Sequence, residues 1–313
     1  MRCRRCKDKG KKEKAIINLP HHNLSLCRDC FLDWYERQLE RMIEKTKMFT
    51  RKDKIMVAVS GGKDSLALWY ALSRLGYKTD GMYINLGIDK GDYSLTSCKK
   101  SEALSHRINR PLYVVDVKKY FGKGIPELSS LTKQPACSIC GLIKRYFTNK
   151  TALEKGYFCV ATGHNLDDEV VTLLSNTLSW DIESLIRQAP VLPQKIGFAR
   201  RVKPLVGFTE KENLLYCLLR KIDYIAEDCP LSRGTGTLFY KRLFNQIEER
   251  SPGTKLRFYI NFQKKFRPLL PPGFIPRLQP CPSCGQPTTT GDLCALCRLL
   301  QQVKGKNTLL PPV

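Results

Sequence analysis

From residue 55 the chain repeats one pattern: a short unbroken apolar run, a polar turn, then a segment with apolar positions at helical spacing. IMVAV (55–59) is apolar throughout, as a strand buried on both faces should be. SGGKDS (60–65) follows, and LALWYALSRLG reads as a helix ending at Gly76. GMYINLG (81–87) predicts a second strand, the polar segment Cys98 to Asn109 a helix, and PLYVVDV (111–117) a third strand. A helix from about Gly141 to Lys155 leads into the strand FCVATG (158–163), and a helix from Asp167 to Leu178 follows. Strands alternating with helices predict an α/β domain over 55–240, a doubly wound parallel sheet with ligands at the strands' carboxyl ends.

Upstream, Phe31, Tyr35, Leu39, Met42 and Ile43 recur at helical spacing through FLDWYERQLERMIEKTKM. That stripe predicts core packing or a seam against the middle domain, and it closes an N-terminal unit over 1–54. A further unit is expected over 241–313.

Composition narrows the class. With 42% hydrophobic and 26% charged residues, the 313-residue chain is not disordered in general and is long enough to bury a core. No apolar run is long enough to span a membrane, and Met1 to Arg4 has no apolar segment behind it, so a cytoplasmic chain is expected. The net charge is +24 and uneven. Residues 1–54 carry 16 basic against 8 acidic groups and residues 241–313 carry 12 against 3, while 55–240 carries 25 against 18. Basic arms around a nearly balanced middle predict a polyanion partner, nucleic acid rather than a merely soluble surface.

Fourteen cysteines in a reducing compartment point to metal or redox chemistry more than to disulfides. Cys3, Cys6, Cys27 and Cys30 form one Cys-x-x-Cys…Cys-x-x-Cys array, and Cys281, Cys284, Cys294 and Cys297 another. Both have the spacing of a tetrahedral structural Zn²⁺ site, in which turn amides donate to sulfur and the metal supplies the folding energy of a unit too small to bury itself. Gly285 suits the positive φ such a knuckle needs. His21 and His22 are read as loop histidines, because four cysteines already complete the site.

The loop after the first strand carries the next chemistry. Gly61 and Gly62 let its backbone turn and bring N–H groups toward a ligand, and the N-terminus of the following helix adds to an anion site. Ser60 and Ser65 add hydroxyls, Lys63 neutralises phosphate charge, and Asp64 fits if it holds a cation bridging to phosphate. The loop is neither GxxxxGK[ST] nor GxGxxG, so ordinary NTPase and dinucleotide readings lack their motifs. TGHNLDDE (162–169) places Gly163 at a strand end and Asp167, Asp168 and Glu169 in a first helical turn. Asp168 is the functional candidate there, with Glu169 supporting the helix dipole.

Within the same domain, PACSICGLIKR (135–145) puts Cys137 and Cys140 just before a predicted helix, whose N-terminus with Lys144 and Arg145 should lower their thiol pKa values. EDCP (227–230) offers Cys229 beside a proline expected to break the preceding helix. Three cysteines can hold an iron–sulfur cluster with one iron open, a redox pair with a resolving cysteine, or a third zinc, and spacing alone leaves all three standing. Cys159 and Cys217 read as inert core thiols, and Cys98 has no visible partner.

SGGKDS resembles the loop of the PP-loop ATP pyrophosphatases. With PACSICGLIKR, ATGHNLDDE, EDCP and the closing CPSCGQPTTTGDLCALC, nearly the whole chain resembles the TtuA-type tRNA 2-thiolation enzymes; LCRDCFLDWYERQ, SLALWYALSRLGY and ERSPGTKLRF fit the T-loop branch more closely than the anticodon-wobble branch. Cys30 stands where some relatives use His. The resemblance implies a [4Fe-4S] cluster on Cys137, Cys140 and Cys229. It implies ATP contacts at Ala58, Asp64, Ile84, Lys144, Gly163 and Asp168, with Mg²⁺ and with Asp64, Lys144 and Asp168 catalytic. It further implies that the C2 oxygen of T-loop 5-methyluridine 54 in tRNA is adenylated and replaced by sulfur, that a ubiquitin-like thiocarboxylate carrier protein delivers the sulfur, and that the enzyme is a homodimer. Wobble-uridine thiolation is the nearest alternative. An amidating ligase lacks a visible ammonia source, and a non-catalytic zinc-dependent RNA-binding protein leaves SGGKDS, HNLDDE and the internal cysteines unexplained.

Overall fold

The computed structural model describes residues 1–231, 236–271, 278–289 and 292–304. A small N-terminal unit, α1 (Arg4–Lys7) and the antiparallel strands β1 (Ile17–Leu19) and β2 (Leu24–Leu26), leads into the long helix α2 (Arg28–Lys45). The α/β domain then runs β3 (Lys54–Val59), α3 (Lys63–Arg74), β4 (Lys78–Asn85), α4 (Tyr93–Ile108) and β5 (Leu112–Asp116). Helices α5 (Val117–Phe121), α6 (Ile125–Thr132) and α7 (Ala136–Glu154) lead to β6 (Cys159–Thr162). After it come α8 (Leu166–Leu178), α9 (Ile182–Arg187), β7 (Val191–Leu192), β8 (Arg201–Val202) and α10 (Glu210–Arg220). Helices α11 (Gly236–Arg250) and α12 (Thr254–Asn261), the short pair β9 (Gln279–Pro280) and β10 (Pro287–Thr288), and α13 (Ala295–Lys304) complete the described chain.

The central sheet has the order β5-β4-β3-β6-β8-β7, parallel except for β7 at the edge. The chain moves outward from β3 to β5, then returns to place β6 on the other side of β3. That reversal opens a crevice at the carboxyl ends of β3 and β6, the place where a doubly wound sheet binds ligands.

Alternation along β3 divides two cores. Ile55, Val57 and Val59 join Cys159, Ala161 and Val202 under α2, α3 and α10, and Cys3, Cys6 and Cys27 extend that core. Met56 joins Met82, Ile84, Val115 and Val160 under α7 and α13, and Cys281, Cys294 and Cys297 extend this one. Each cysteine module is therefore bonded into a different face of the sheet. The stripe on α2 is the expected seam: Tyr35 stacks on Tyr216 at 4.1 Å between ring centroids.

The elements differ from expectation in four places. Helix α4 begins at Tyr93 instead of Cys98, because its polar start is a buried face whose hydroxyls are bonded: Ser97 meets Tyr83 Oη of β4 at 2.6 Å, and Ser101 donates to Ser97 O at 2.8 Å. Helix α7 begins at Ala136, so Cys137 and Cys140 lie inside its first turns. Helix α10 ends at Arg220 through Lys221 in the left-handed region (φ 51°), well before Pro230, which breaks nothing. The basic C-terminal segment is not a free arm: Phe244 of α11 and Tyr259 of α12 pack on Val170 and Val171 of α8, and position 240 falls inside α11. Thr290 and Gly291 of the closing cysteine motif lie outside the described residues. Among the described residues no helix is long and apolar enough to cross a membrane.

Candidate active site

The loop from β3 to α3 is fixed by backbone geometry. Gly61 has φ 77°, and a Cβ there would sit 2.5 Å from Ser97 O, so a side chain is excluded twice. Gly62 is different: as N-cap of α3 it has an ordinary φ of −82°. Ser65 Oγ donates to Gly62 O at 3.0 Å and accepts from Ser60 N at 3.1 Å, which closes the loop on itself. A Cβ on Gly163 would meet Ser65 N at 2.8 Å, so β6 can approach this loop only with glycine.

The acidic side of the crevice is organised by two asparagines. Asn165 Nδ2 donates to Asp64 Oδ1 at 3.0 Å, and Asn213 Nδ2 donates to the same oxygen at 2.7 Å. Asn165 also caps α8: its Oδ1 accepts from Asp168 N at 3.0 Å while Asp168 Oδ2 accepts from Asn165 N at 3.2 Å, a reciprocal capping box. One buried residue thus sets both candidate carboxylates. The other two acids of the motif are structural. Asp167 pairs with buried Lys255 and accepts from Glu210 N at 2.7 Å, and Glu169 pairs with Lys203 at 2.7 Å. Glu169 is therefore a buried ion-pair partner and not only a dipole complement.

A chain of alternating charge crosses the site: Asp64, Lys63, Glu210, Lys241 and Asp168. Burial opposes the Lys241 ammonium, but Asp168 and Glu210 outweigh it and hold its pKa above the usual lysine range. Burial raises the Asp168 pKa, with Lys241 working against it. Asp64 and Asp168 are the two carboxylates that line the cavity, and each faces one ammonium group.

A cavity of about 540 Å³ gathers these parts. Ala58, Ser60, Gly62, Asp64 and Ser65 line one wall, with Ile84 from β4. Lys144 of α7, Gly163 and Asp168 line the rest of the expected nucleotide contacts. Gly61 turns the loop from behind, and Lys63 points to Glu210 instead of into the cavity. Cys140 and Cys229 open into the same space, and a second cavity of about 540 Å³ meets it at Tyr93 and Cys229. Cys137 is exposed beside them, its Sγ 3.7 Å from Leu231 O. The expected lowering of the Cys140 thiol does not occur: burial raises its pKa, and Lys144 only partly offsets this.

Sulfur spacing separates the metal candidates. Cys6 Sγ lies 3.8 Å from Cys27 Sγ and 3.5 Å from Cys30 Sγ, and Cys284 Sγ lies 3.6 Å from Cys294 Sγ. Tetrahedral thiolates on one Zn²⁺ at about 2.3 Å are about 3.8 Å apart, so both tetrads fit zinc. Cys294 N donates to Cys281 Sγ at 3.2 Å, and Gly285 has the φ of 72° its knuckle needs. Among the described residues, the groups whose ligand atoms all lie within 4.8 Å of one another are these tetrads and His21–His22–Glu212. Cys137, Cys140 and Cys229 are not such a group, so their thiols do not converge on one point as those of the tetrads do. His21 and His22 serve no zinc module: His21 Nε2 lies 3.0 Å from Glu212 Oε1, across the seam to α10.

Residues 2–32 match the family described as "2-thiouridine synthetase TtuA, N-terminal LIM domain", and residues 33–230 match the PP-loop domain. The tRNA-5-methyluridine(54) 2-sulfurtransferase of Thermus thermophilus is 47% identical over 302 residues, covering 96% of this chain and 93% of its own length. The chain belongs to the TtuA family of PP-loop sulfurtransferases. The TtuA relative from Thermotoga maritima, of the same description, is 39% identical and covers 99% of this chain and 100% of its own length. The solved structure of the U34-tRNA thiolase NcsA from Methanococcus maripaludis, with its [4Fe-4S] cluster, shares the fold: TM-score 0.82 at 23% identity, over 99% of both chains.

Reading this TtuA-family sequence alone missed Asn165, Asn213, Glu210 and Lys241. Asn165 carried a signal, an N-cap residue three positions before an acid. The other three reach the site from α10 and α11 through long-range packing and carry no local signature.

Proposed function

We propose that this chain is a tRNA 2-sulfurtransferase that adenylates the C2 oxygen of T-loop 5-methyluridine 54 and replaces it with sulfur. One observation carries the reading: the pyrophosphate loop, Lys144, Asp168 and two of the three internal cysteines face one cavity. In this reading nucleotide chemistry and sulfur chemistry share one partly enclosed cavity.

The C2 oxygen of a uracil is a poor leaving group until it carries a phosphoryl substituent. In the proposed reaction it attacks the α-phosphorus of ATP, the α–β bond breaks, and pyrophosphate leaves into the N–H groups of the Ser60–Ser65 loop. Lys144 stabilises charge on the α-phosphate oxygens, and Asp64 and Asp168 are the residues that would hold Mg²⁺ against the phosphates. Cys137, Cys140 and Cys229 would hold a [4Fe-4S] cluster, which when bound supplies an iron free of protein ligands for presenting sulfur. Sulfur attack at C2 then breaks the C2–O bond and AMP departs. Positioning both reactants in one cavity is worth more here than acid–base assistance, because each step is a displacement at a fixed centre. A protein thiocarboxylate as sulfur donor and a homodimer as the assembly belong to this reading, and the family resemblance is what supports them.

The test is nucleoside mass spectrometry of unthiolated tRNA incubated anaerobically with cluster-reconstituted protein, ATP, Mg²⁺ and sulfide. The expected product is 2-thio-5-methyluridine. A 2-thiouridine derivative mapped to the anticodon would move the substrate to the wobble position and keep the chemistry. No thiolated nucleoside from iron-loaded, ATP-binding protein would overturn the reading.

A further inference from the structure

Two guanidinium groups stand in the wall of the active-site cavity without a carboxylate. Arg145 of α7 and Arg201 of β8 both line it. Of the other cations nearby, Lys63 is matched by Glu210, Lys203 by Glu169 and Lys241 by Glu210, while Lys144 lies against the Cys140 thiol. Among the described residues, neither Arg145 nor Arg201 has a side-chain ion pair or hydrogen bond. Burial, and then the neighbouring Arg145, push Arg201 below the ordinary arginine range. Two like charges held in a partly enclosed space cost free energy unless an anion joins them.

The direction of Arg145 is built into the backbone. A Cβ on Gly141 would lie 2.9 Å from its Nη1, so the side chain folds back over a glycine toward the turn that carries Cys140. Guanidinium groups offer planar forks that match phosphate oxygens, which makes a pair of them better suited to a phosphate than to a lone carboxylate.

Strand register separates this pair from the pyrophosphate loop. Arg201 pairs with Val160, and Val160 with Met56, four residues before Ser60. At about 3.3 Å per residue, the Arg201 backbone lies roughly 13 Å short of the loop along the strands. It also lies across β6 from β3, whereas Ile84 on β4 lies on the opposite side of β3. A nucleotide cradled at Ser60–Ser65 that reaches Ile84, the contact the family resemblance implies, runs away from Arg201. The anion that meets the arginines therefore belongs to the second substrate.

We propose that Arg145 and Arg201 form a phosphate-oxyanion subsite that grips one phosphodiester of the RNA strand beside the nucleotide being modified. This rests on the tRNA-thiolation reading and names the part of the strand that the cavity holds. The pair fixes the strand so that the target base enters between the loop and the cysteines.

The experiment compares the iron-loaded full chain with Arg145→Gln, Arg201→Gln, the double variant and Arg201→Lys. It measures tRNA affinity over a salt series, ATP affinity and iron content. In the double variant tRNA binding should weaken about tenfold or more, and the slope of log affinity against log salt should become shallower by about 0.7, the value for one lost phosphate contact on a single strand. ATP affinity should stay within about twofold and iron content should hold, with Arg201→Lys recovering part of the loss. An unchanged tRNA slope would overturn the subsite. So would a loss of ATP affinity with tRNA binding intact, since the phosphate would then be the nucleotide's. If the wild-type protein thiolates tRNA while the variants bind it normally, only the subsite fails; if the wild type neither thiolates nor binds tRNA, the functional reading fails with it.

Discussion

Asn213 Nδ2 lies 2.7 Å from Asp64 Oδ1 and ties helix α10 to the pyrophosphate loop. Its other amide atom, Oδ1, accepts from Tyr35 Oη at 2.8 Å, and Asn213 and Tyr35 are both fully buried. A side-chain relay thus runs from the helix that follows the N-terminal cysteine module to a proposed catalytic carboxylate. Tyr35→Phe leaves a buried acceptor without its donor, which costs about 1–3 kcal/mol of stability. Asn213→Ala removes a donor from Asp64 itself and should weaken Mg·ATP binding more than Tyr35→Phe does. Thermal melts and ATP titrations on both variants check the order. Wild-type ATP affinity in Asn213→Ala would show that Asp64 holds its position without the relay.

The internal cysteines should separate sharply by position. Cys229→Ala and Cys140→Ala remove groups that face the cavity, so iron absorbance and thiolation should be lost while ATP affinity stays within about twofold, because the loop donors are untouched. Cys159 and Cys217 lie in the core on the other face of the sheet, and burial pushes both thiols up to about 12, so they are inert at neutral pH. Cys159→Ala and Cys217→Ala should keep iron and thiolation, with only a small packing loss. Iron retained at full level in Cys229→Ala would remove that residue from the cluster.

The two tetrads should each hold one zinc, and the loss of each should be felt in a different core. Cys27→Ser unsettles the face that contains Tyr35 and Tyr216, whereas Cys294→Ser unsettles the face that contains Ile143 and Phe147. Structural zinc contributes about 10–16 kcal/mol to modules of this kind, so each variant should lose one metal equivalent and melt well below wild type. Metal analysis with calorimetry reads both effects. A Cys294→Ser protein that keeps its full zinc content and melting temperature would remove the C-terminal site.

The sheet was legible because β3, β5 and β6 are largely apolar runs and β4 carries one in its second half, and the loop chemistry was legible because SGGKDS follows the first of them. The cysteine tetrads were legible because ligand spacing is local. What the sequence hid was made by distance. Asn213, Glu210 and Lys241 are ordinary helix residues until α10 and α11 bring them to Asp64 and Asp168. The early start of α4 was masked by serines that look like loop residues and are buried with their hydroxyls bonded, and the early start of α7 by a helix whose first turns carry cysteine instead of an apolar stripe. The thiol chemistry of Cys140 was misjudged for a related reason: the helix and Lys144 were visible, and the burial that outweighs them was not.

Acid should destabilise the protein through His164 and His22, whose rings the fold favours in the neutral form. Partial desolvation at the cavity wall, and then Lys203, hold the His164 pKa below its ordinary value of 6.5, and the solvent-exposed ring bonds Thr162 Oγ1 at 2.8 Å through Nδ1. Burial and His21 act in the same direction on His22, whose Nε2 is buried without a hydrogen-bond partner. The folded protein keeps both rings neutral where the unfolded chain already takes up protons. The unfolded state therefore binds more protons just below pH 6.5, and stability rises with pH across that window. The contribution is complete above the ordinary histidine value and is lost as pH falls through the folded one. Asp168 has the opposite sign, its window opening at the ordinary carboxylate value of 3.8. Melting temperatures measured between about pH 7.5 and 5 at fixed ionic strength should fall in wild type and fall less in His164→Gln, with the His22→Gln, His164→Gln double variant flattest. Parallel curves for all three proteins would show that neither histidine carries the acid sensitivity.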